Sequence, residues 1–300
     1  MTLTRTAPME VAVPPEGTAK YRFALIRSFS LPAATGHPTA KQGTKQERLP
    51  NYKDVAPVLD GVQWDLIAGP VARYGDWAVE NREEFLLVGA DRLAIVKQAC
   101  ESGKYNAIVL LGGGEPGAAA CREIAHRYGI PVSSGAFAQM HVATMLGRRF
   151  SVIDLAESHG MHWYDLVIQY EFTGRCASIR SINFPHARPP YEGEHRDIHE
   201  EKRKALVGEK SEAVEAAVGE ALAAIEEDGA DVIAFSCSGL YWLRPFVQRR
   251  LDEIGWDVPV IEGYSASIVL AKAMVDLGID VSGLAYPRDR PRRWRRKRTF

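Results

Sequence analysis

Two stretches of the chain repeat one pattern, and that repeat restricts the fold more than any other feature. Asn106-Ala-Ile-Val-Leu-Leu-Gly-Gly-Gly114 and Asp231-Val-Ile-Ala-Phe-Ser-Cys-Ser-Gly239 align without gaps at an offset of 125 (106 to 231). Each is a polar residue, a short apolar run and three small residues, followed by helical sequence. Pro131-Val-Ser-Ser-Gly-Ala-Phe-Ala138 and Pro259-Val-Ile-Glu-Gly-Tyr-Ser-Ala266 align in the same order, at an offset of 128 (131 to 259). Any two strand–helix–strand units look broadly alike, but two ordered matches at nearly equal offsets favour a duplication. Its period is far longer than that of a solenoid. It predicts two similar lobes related by a pseudo-twofold axis, with the GGG and SCSG loops facing one another across a cleft.

The remaining pattern fits such lobes. Apolar runs predict strands at 21–29, 62–68, 107–111, 131–132, 150–154, 178–184, 231–236 and 258–261. Helical periodicity covers 78–100 (with a break near Gly89), 116–128, 136–146, 160–170, a long 200–228, 241–254 and 264–276. Strands alternating with helices define an α/β, doubly wound, parallel architecture, in which ligands bind at the carboxyl ends of strands. Residues 31–56 are polar and rich in Lys, Gly and Pro, and read as a long surface loop of the kind that covers a site. The expected organisation is a flexible leader at 1–19, a first lobe from 20–130 plus 262–286, a second lobe at 131–261, and a basic tail at 287–300.

Composition narrows the function. No run of 18 apolar residues is present, so no membrane span is expected, and the first 20 residues lack a secretory pattern. Residues 288–298 hold eight of the 37 basic residues and one of the 38 acidic ones, which leaves 29 basic against 37 acidic, a net −8, elsewhere. An acidic body does not suit nucleic acid, and the tail reads as a solvated end. Cys100, Cys121, Cys176 and Cys237 form no CxxC pair. That argues against a zinc site or a disulfide framework and suits a reducing cytoplasm.

Chemistry concentrates in the two repeated loops. Gly112-Gly113-Gly114-Glu115-Pro116-Gly117 lies between a strand and a helix, where glycines let backbone N–H groups approach a ligand and a helix start favours an anion. It lacks the context of a dinucleotide fingerprint and the Lys-Ser/Thr of a phosphate loop, so a purely structural turn is an equal reading. Ser236-Cys237-Ser238-Gly239 puts a cysteine at the matching strand end, where oriented amides favour a thiolate and can stabilise an enolate. The other three cysteines read as packing, as does His141. His195 and His199 stand four apart and offer two metal ligands on one helix face, but no third is evident, so a solvated helix start is preferred. His159 and His162 likewise read as a helix beginning.

The segments AIVLLGGGEPGAAACREI, IPVSSGAFAQMHVATMLGRRFSVI, EEDGADVIAFSCSGL and VPVIEGYSASIVLAKAMV, with AGPVARYGDWAVENREEFLLVGADRLAIV upstream, resemble the aspartate/glutamate/hydantoin racemase superfamily, in particular its hydantoin-racemase branch, over about residues 22–286. The order of the motifs is specific, although each alone is not. The resemblance implies two pseudo-symmetric lobes with the site between them. It also implies no pyridoxal phosphate, no metal, and two cysteines acting as acid and base on opposite faces of a substrate α-carbon. Cys237 matches the second cysteine. Gly112 stands where the first is expected, and Glu115 where hydantoin racemases carry Asp. Arg27 and Ser30 follow the first strand, where family members carry substrate-contacting polar residues.

The implied activity is therefore a cofactor-independent racemase or epimerase of an amino-acid derivative, with a small carboxylate or cyclic amide as substrate. Cys237 is its acid/base and Glu115 the candidate partner. Arg27, Ser30, Gly112, Gly113, Gly114, Ser236, Ser238 and Gly239 are the candidate substrate-binding residues. A single thiol is also similar to arylmalonate decarboxylases, where one cysteine reprotonates an enediolate after carbon dioxide leaves. A binding protein that kept the cleft without chemistry is the third reading. Family members often pair, which implies a homo-oligomer. Restoring a cysteine at Gly112 is expected to create or speed racemisation.

Overall fold

The computed structural model describes residues 19–35, 37–188, 197–289 and 293. The expected leader lies outside the described residues except for residue 19. So do His195 and most of the basic tail.

The first lobe begins with β1 (Tyr21–Ile26), α1 (Lys45–Arg48), α2 (Tyr52–Val55) and β2 (Val62–Ile67). It continues through α3 (Arg82–Glu101), β3 (Ala107–Leu110), α4 (Ala118–His126) and β4 (Val132–Ser134). The second contains α5 (Gly135–Leu146), β5 (Phe150–Asp154), α6 (Glu157–Gln169), β6 (Cys176–Ser181), α7 (Ile198–Leu206) and α8 (Glu212–Glu226). It ends with β7 (Val232–Phe235), α9 (Arg244–Ile254) and β8 (Val260–Ile261), after which α10 (Gly263–Leu277) returns to the first lobe. The strands form two all-parallel sheets, β2-β1-β3-β4 and β6-β5-β7-β8. The two orders are the same topology, as the repeat predicted. Phe23–Ile26, β3 and β7 are buried throughout, which explains why these strands read as unbroken apolar runs: helices cover both faces.

The lobes exchange their last helices. α5, which follows the last strand of the first sheet, packs on β7 and β5 of the second. α10, which follows the last strand of the second sheet, packs on β3 and β4 of the first and on α5 itself. Buried Gln139 on α5 ties the lobes chemically. Its side-chain amide donates to Phe235 O (2.9 Å) and its side-chain oxygen accepts from Phe235 N (3.2 Å), two residues before Cys237.

Four details differ from the sequence expectation. Pairing of Ile108 with Val132 and of Leu110 with Ser134 carries the first sheet to residue 134, beyond the boundary expected at 130. α3 runs unbroken through Gly89, which serves a close approach. A Cβ there would lie 2.8 Å from Gly117 N, and one on Gly117 would lie 2.7 Å from Gly89 O. The 200–228 stretch is two helices. Gly208, at φ +81°, follows α7, and the Ser211 hydroxyl accepts from Val214 N (3.3 Å) to cap α8. Residues 31–56 contain short helices, one of them held by a Thr44–Glu47 capping box. Among the described residues no helix is long and apolar enough to cross a membrane.

Arg92, wholly buried on α3, braces the carboxyl ends of β1 and β3 from beneath. Its guanidinium donates to the carbonyls of Ile26 (2.9 Å), Arg27 (3.2 Å) and Pro116 (3.4 Å) and to that of Leu111. Burial pushes its pKa down to about 10, yet it remains a cation near neutrality.

Candidate active site

A cavity of about 620 Å³ opens between the strand ends of the two lobes. Ser28 and Gly112 to Gly114 line it from the first lobe, and Cys237 to Gly239 from the second. The two repeated loops touch: a Cβ on Gly113 would fall 1.5 Å from Ser236 O.

Cys237 follows β7 at the cleft floor and is 8% exposed. Gly239 N donates to its Sγ (3.4 Å), and His186 Nε2 lies 3.7 Å away. Behind it stands a buried pair. Asp154 at the end of β5 accepts from His159 Nδ1 in the first turn of α6 (2.8 Å), and Asp154 Oδ1 also accepts from Leu155 N (2.6 Å). Burial alone would push His159 toward neutrality. The charge of Asp154 outweighs it, Cys237 adds to the effect, and the imidazole is raised well above its ordinary value. Carboxylate, imidazolium and thiol thus follow one another, so the cation supplies the counter-charge that a thiolate at Cys237 requires. Sequence reading missed this trio. Its signal was an acid closing a buried strand, with a histidine five residues on, in FSVIDLAESH.

Arg27 lines the cavity and is 4% exposed. Its guanidinium donates to the carbonyls of Thr39 (2.7 Å) and Arg48, and its Nε has no partner among the described residues. Burial and then Arg48 lower its pKa. Ser30 does not reach the cavity, because its hydroxyl donates to Gly69 O (2.9 Å); Ser28 lines it instead. Ser236 Oγ is buried beneath the loop, accepting from Cys237 N (2.5 Å). Ser238 faces the cavity.

Glu115 does not line the cavity. It is 2% exposed and turns away from the cleft; its carboxylate accepts from Phe137 N (2.9 Å) at the start of α5 and from Tyr170 Oη, which in turn accepts from Arg122 (3.0 Å). Gly112 has φ +103°, and a Cβ on it would meet the Ser28 side chain at 2.8 and 2.9 Å. Gly114 has no room either, since its Cβ would lie 2.4 Å from the Phe85 ring, and its carbonyl accepts from His162 (2.7 Å). The glycine triplet is required by packing as much as by any ligand.

Three histidines from separate segments line the same cavity: His37 in the 31–56 segment, His186 after β6 and His199 on α7. One ring nitrogen from each lies within 4.8 Å of the others. His199 thus finds companions that its own neighbourhood in sequence did not supply. Lys202, one turn along α7, reaches Asn51 Oδ1 (2.6 Å), and burial lowers it to about 8, helped by Lys41.

A two-lobed α/β fold of this topology, with a thiol at a strand end in the interlobe cleft, defines a class of enzymes, and sequence comparison identifies which. The sequence profile described as Asp/Glu/Hydantoin racemase matches residues 78–271, and the chain belongs to that family of racemases and isomerases. A hydantoin racemase of Paenarthrobacter aurescens is 30% identical over 187 residues, 62% of this chain and 69% of that one. Among solved structures, allantoin racemase from Pseudomonas fluorescens superposes with a TM-score of 0.64 at 21% identity, covering 91% of this chain and 99% of the other. Unliganded arylmalonate decarboxylase shares the fold at a TM-score of 0.51 and 17% identity, covering 85% and 92%.

Proposed function

We propose that this enzyme removes and returns a proton at the carbon α to a carbonyl in a small cyclic amide or carboxylate of the hydantoin or allantoin type. Cys237 is the acid/base. The observation that carries this reading is the thiol in the cleft, backed by the buried Asp154–His159 pair. Arg27 offers a buried cation whose described acceptors are only carbonyls, so an anionic or strongly polarised substrate oxygen is its natural complement. The proton passes to Sγ, the negative charge spreads onto the carbonyl oxygen, and the cations of Arg27 and His159 offset it; return from Sγ restores the starting configuration, and protonation of the opposite face by water in the cleft gives the inverted one. Four free thiols among the described residues suit a reducing, cytoplasmic setting.

The experiment is to incubate single enantiomers of several hydantoins and of allantoin in deuterated buffer. The expected outcome is deuterium at the α-carbon with loss of optical rotation. No exchange with any of them would count against the reading.

Gly112 supports a second reading. The first lobe carries no thiol there, and Glu115 points elsewhere. One-faced protonation after loss of carbon dioxide needs only Cys237. A panel of prochiral malonates would then give product of a single configuration; racemic product or no turnover removes this alternative.

A further inference from the structure

We propose that His37, His186 and His199 form a binding site for one zinc-class divalent ion at the mouth of the cleft, with an open coordination position. The three imidazoles come from three segments, and their rings form a nearly equilateral triangle. The centroids are 5.8 Å apart for His37 and His186, and 5.4 Å for each of the other two pairs. One nitrogen of each lies within 4.8 Å of the other two. Tetrahedral zinc with Zn–N bonds of about 2.0–2.1 Å places neighbouring nitrogens about 3.3 Å apart, so small side-chain rotations close the site.

Two of the donors are unclaimed: among the described residues, Nδ1 of His186 and Nε2 of His199 are buried without a hydrogen-bond partner, while Nδ1 of His37 is held by Thr39 (2.9 Å). A buried imidazole nitrogen with no partner is costly, and three of these rings facing one another repel any added proton. Neutral imidazole is the form that binds metal. His199 is oriented by its helix, where Asp197 accepts from its backbone N–H (2.8 Å). Two residues after His186, Arg188 pairs with buried Glu84 (2.6 Å).

Arg27, Lys41 and Lys202 add positive charge nearby. The ion therefore requires an anionic fourth ligand, which is a hydroxide or a substrate oxygen. Three histidines and one exchangeable position make an open site, in contrast to the four protein ligands of a structural one. The thiol is 3.7 Å from His186 Nε2, the ring nitrogen across from the unpartnered Nδ1, and it falls outside the group of mutually close donors, so it does not ligate the ion.

The test needs no substrate, so its failure is separable from failure of the proton-transfer reading. The full chain, stripped with chelator, is titrated with zinc by calorimetry and with cobalt(II) by visible absorption. The expected result is one ion per chain with the intense visible bands of a tetrahedral centre. His37→Gln and His199→Gln, each verified as folded by circular dichroism, should weaken binding by more than the about 10–100-fold typical of losing an outer hydrogen-bond partner of a metal ligand. Cys237→Ser should leave binding within a few-fold of wild type. No stoichiometric binding, or binding that survives both histidine replacements, overturns the site. Loss of binding in Cys237→Ser overturns the open position.

Discussion

The two repeated loops occupy equivalent places and do different work. In the second lobe, the loop after β7 presents Cys237 to the cleft with His159 and Asp154 behind it. In the first, the loop after β3 presents only backbone, with Ser28 in the space a side chain at Gly112 would need. Its carboxylate, Glu115, is buried on the reverse side against Phe137 N and Tyr170. The backbone is symmetric while the side chains are not. The asymmetry goes beyond the residue at 112, because Gly112 occupies a conformation that favours glycine and α5 holds the neighbouring acid.

The comparison is broken most severely at Cys237. Cys237→Ala should lower kcat by about 10²–10⁴-fold, the usual range for an acid/base group, with little change in melting temperature. Steady-state assay on the substrate found by exchange screening checks both. His159→Gln comes next, because it leaves Asp154 buried with no cation. The expected loss in kcat exceeds that in KM, together with a stability loss of about 3 kcal/mol or more by urea denaturation. Third is Glu115→Gln. If the acid is structural, the variant loses about 1–3 kcal/mol from its charge-assisted hydrogen bonds while kcat per folded molecule stays nearly unchanged. A drop in kcat comparable to that of Cys237→Ala would return Glu115 to the chemistry.

Gly112→Cys sharpens the contrast with the smallest expected gain. The simple replacement, at φ +103° and against Ser28, should be strained by about 1–3 kcal/mol and speed racemisation little. Pairing it with Ser28→Gly removes the collision but not the strain. A larger gain in the double variant than in the single one, read by polarimetry, is the expected outcome.

Much of this was legible in the sequence for identifiable reasons. The repeat survived as apolar runs followed by small residues, since parallel strands buried on both faces tolerate little else. The cleft position of Cys237 was legible because a strand end before a helix start is where such folds open their cavities. The Gly89 position misled because a glycine that permits contact with Gly117 looks the same in sequence as one that breaks a helix. Ser30 and Ser28 differ by two residues after the strand, and only the turn decides which one faces the cavity. Glu115 was assigned by proximity along the chain, whereas its direction is set by α5 and Tyr170. His37, His186 and His199 span 162 positions (37 to 199), and no local pattern joins them.

The central claim is that one thiol, Cys237, carries the α-proton. The direct measurement is proton NMR of the substrate α-hydrogen in deuterated buffer, with wild type and Cys237→Ala compared at equal concentrations of folded enzyme. The account predicts rapid disappearance of the α-proton signal with wild type and a rate near that of buffer alone with Cys237→Ala. Undiminished exchange in Cys237→Ala would contradict it.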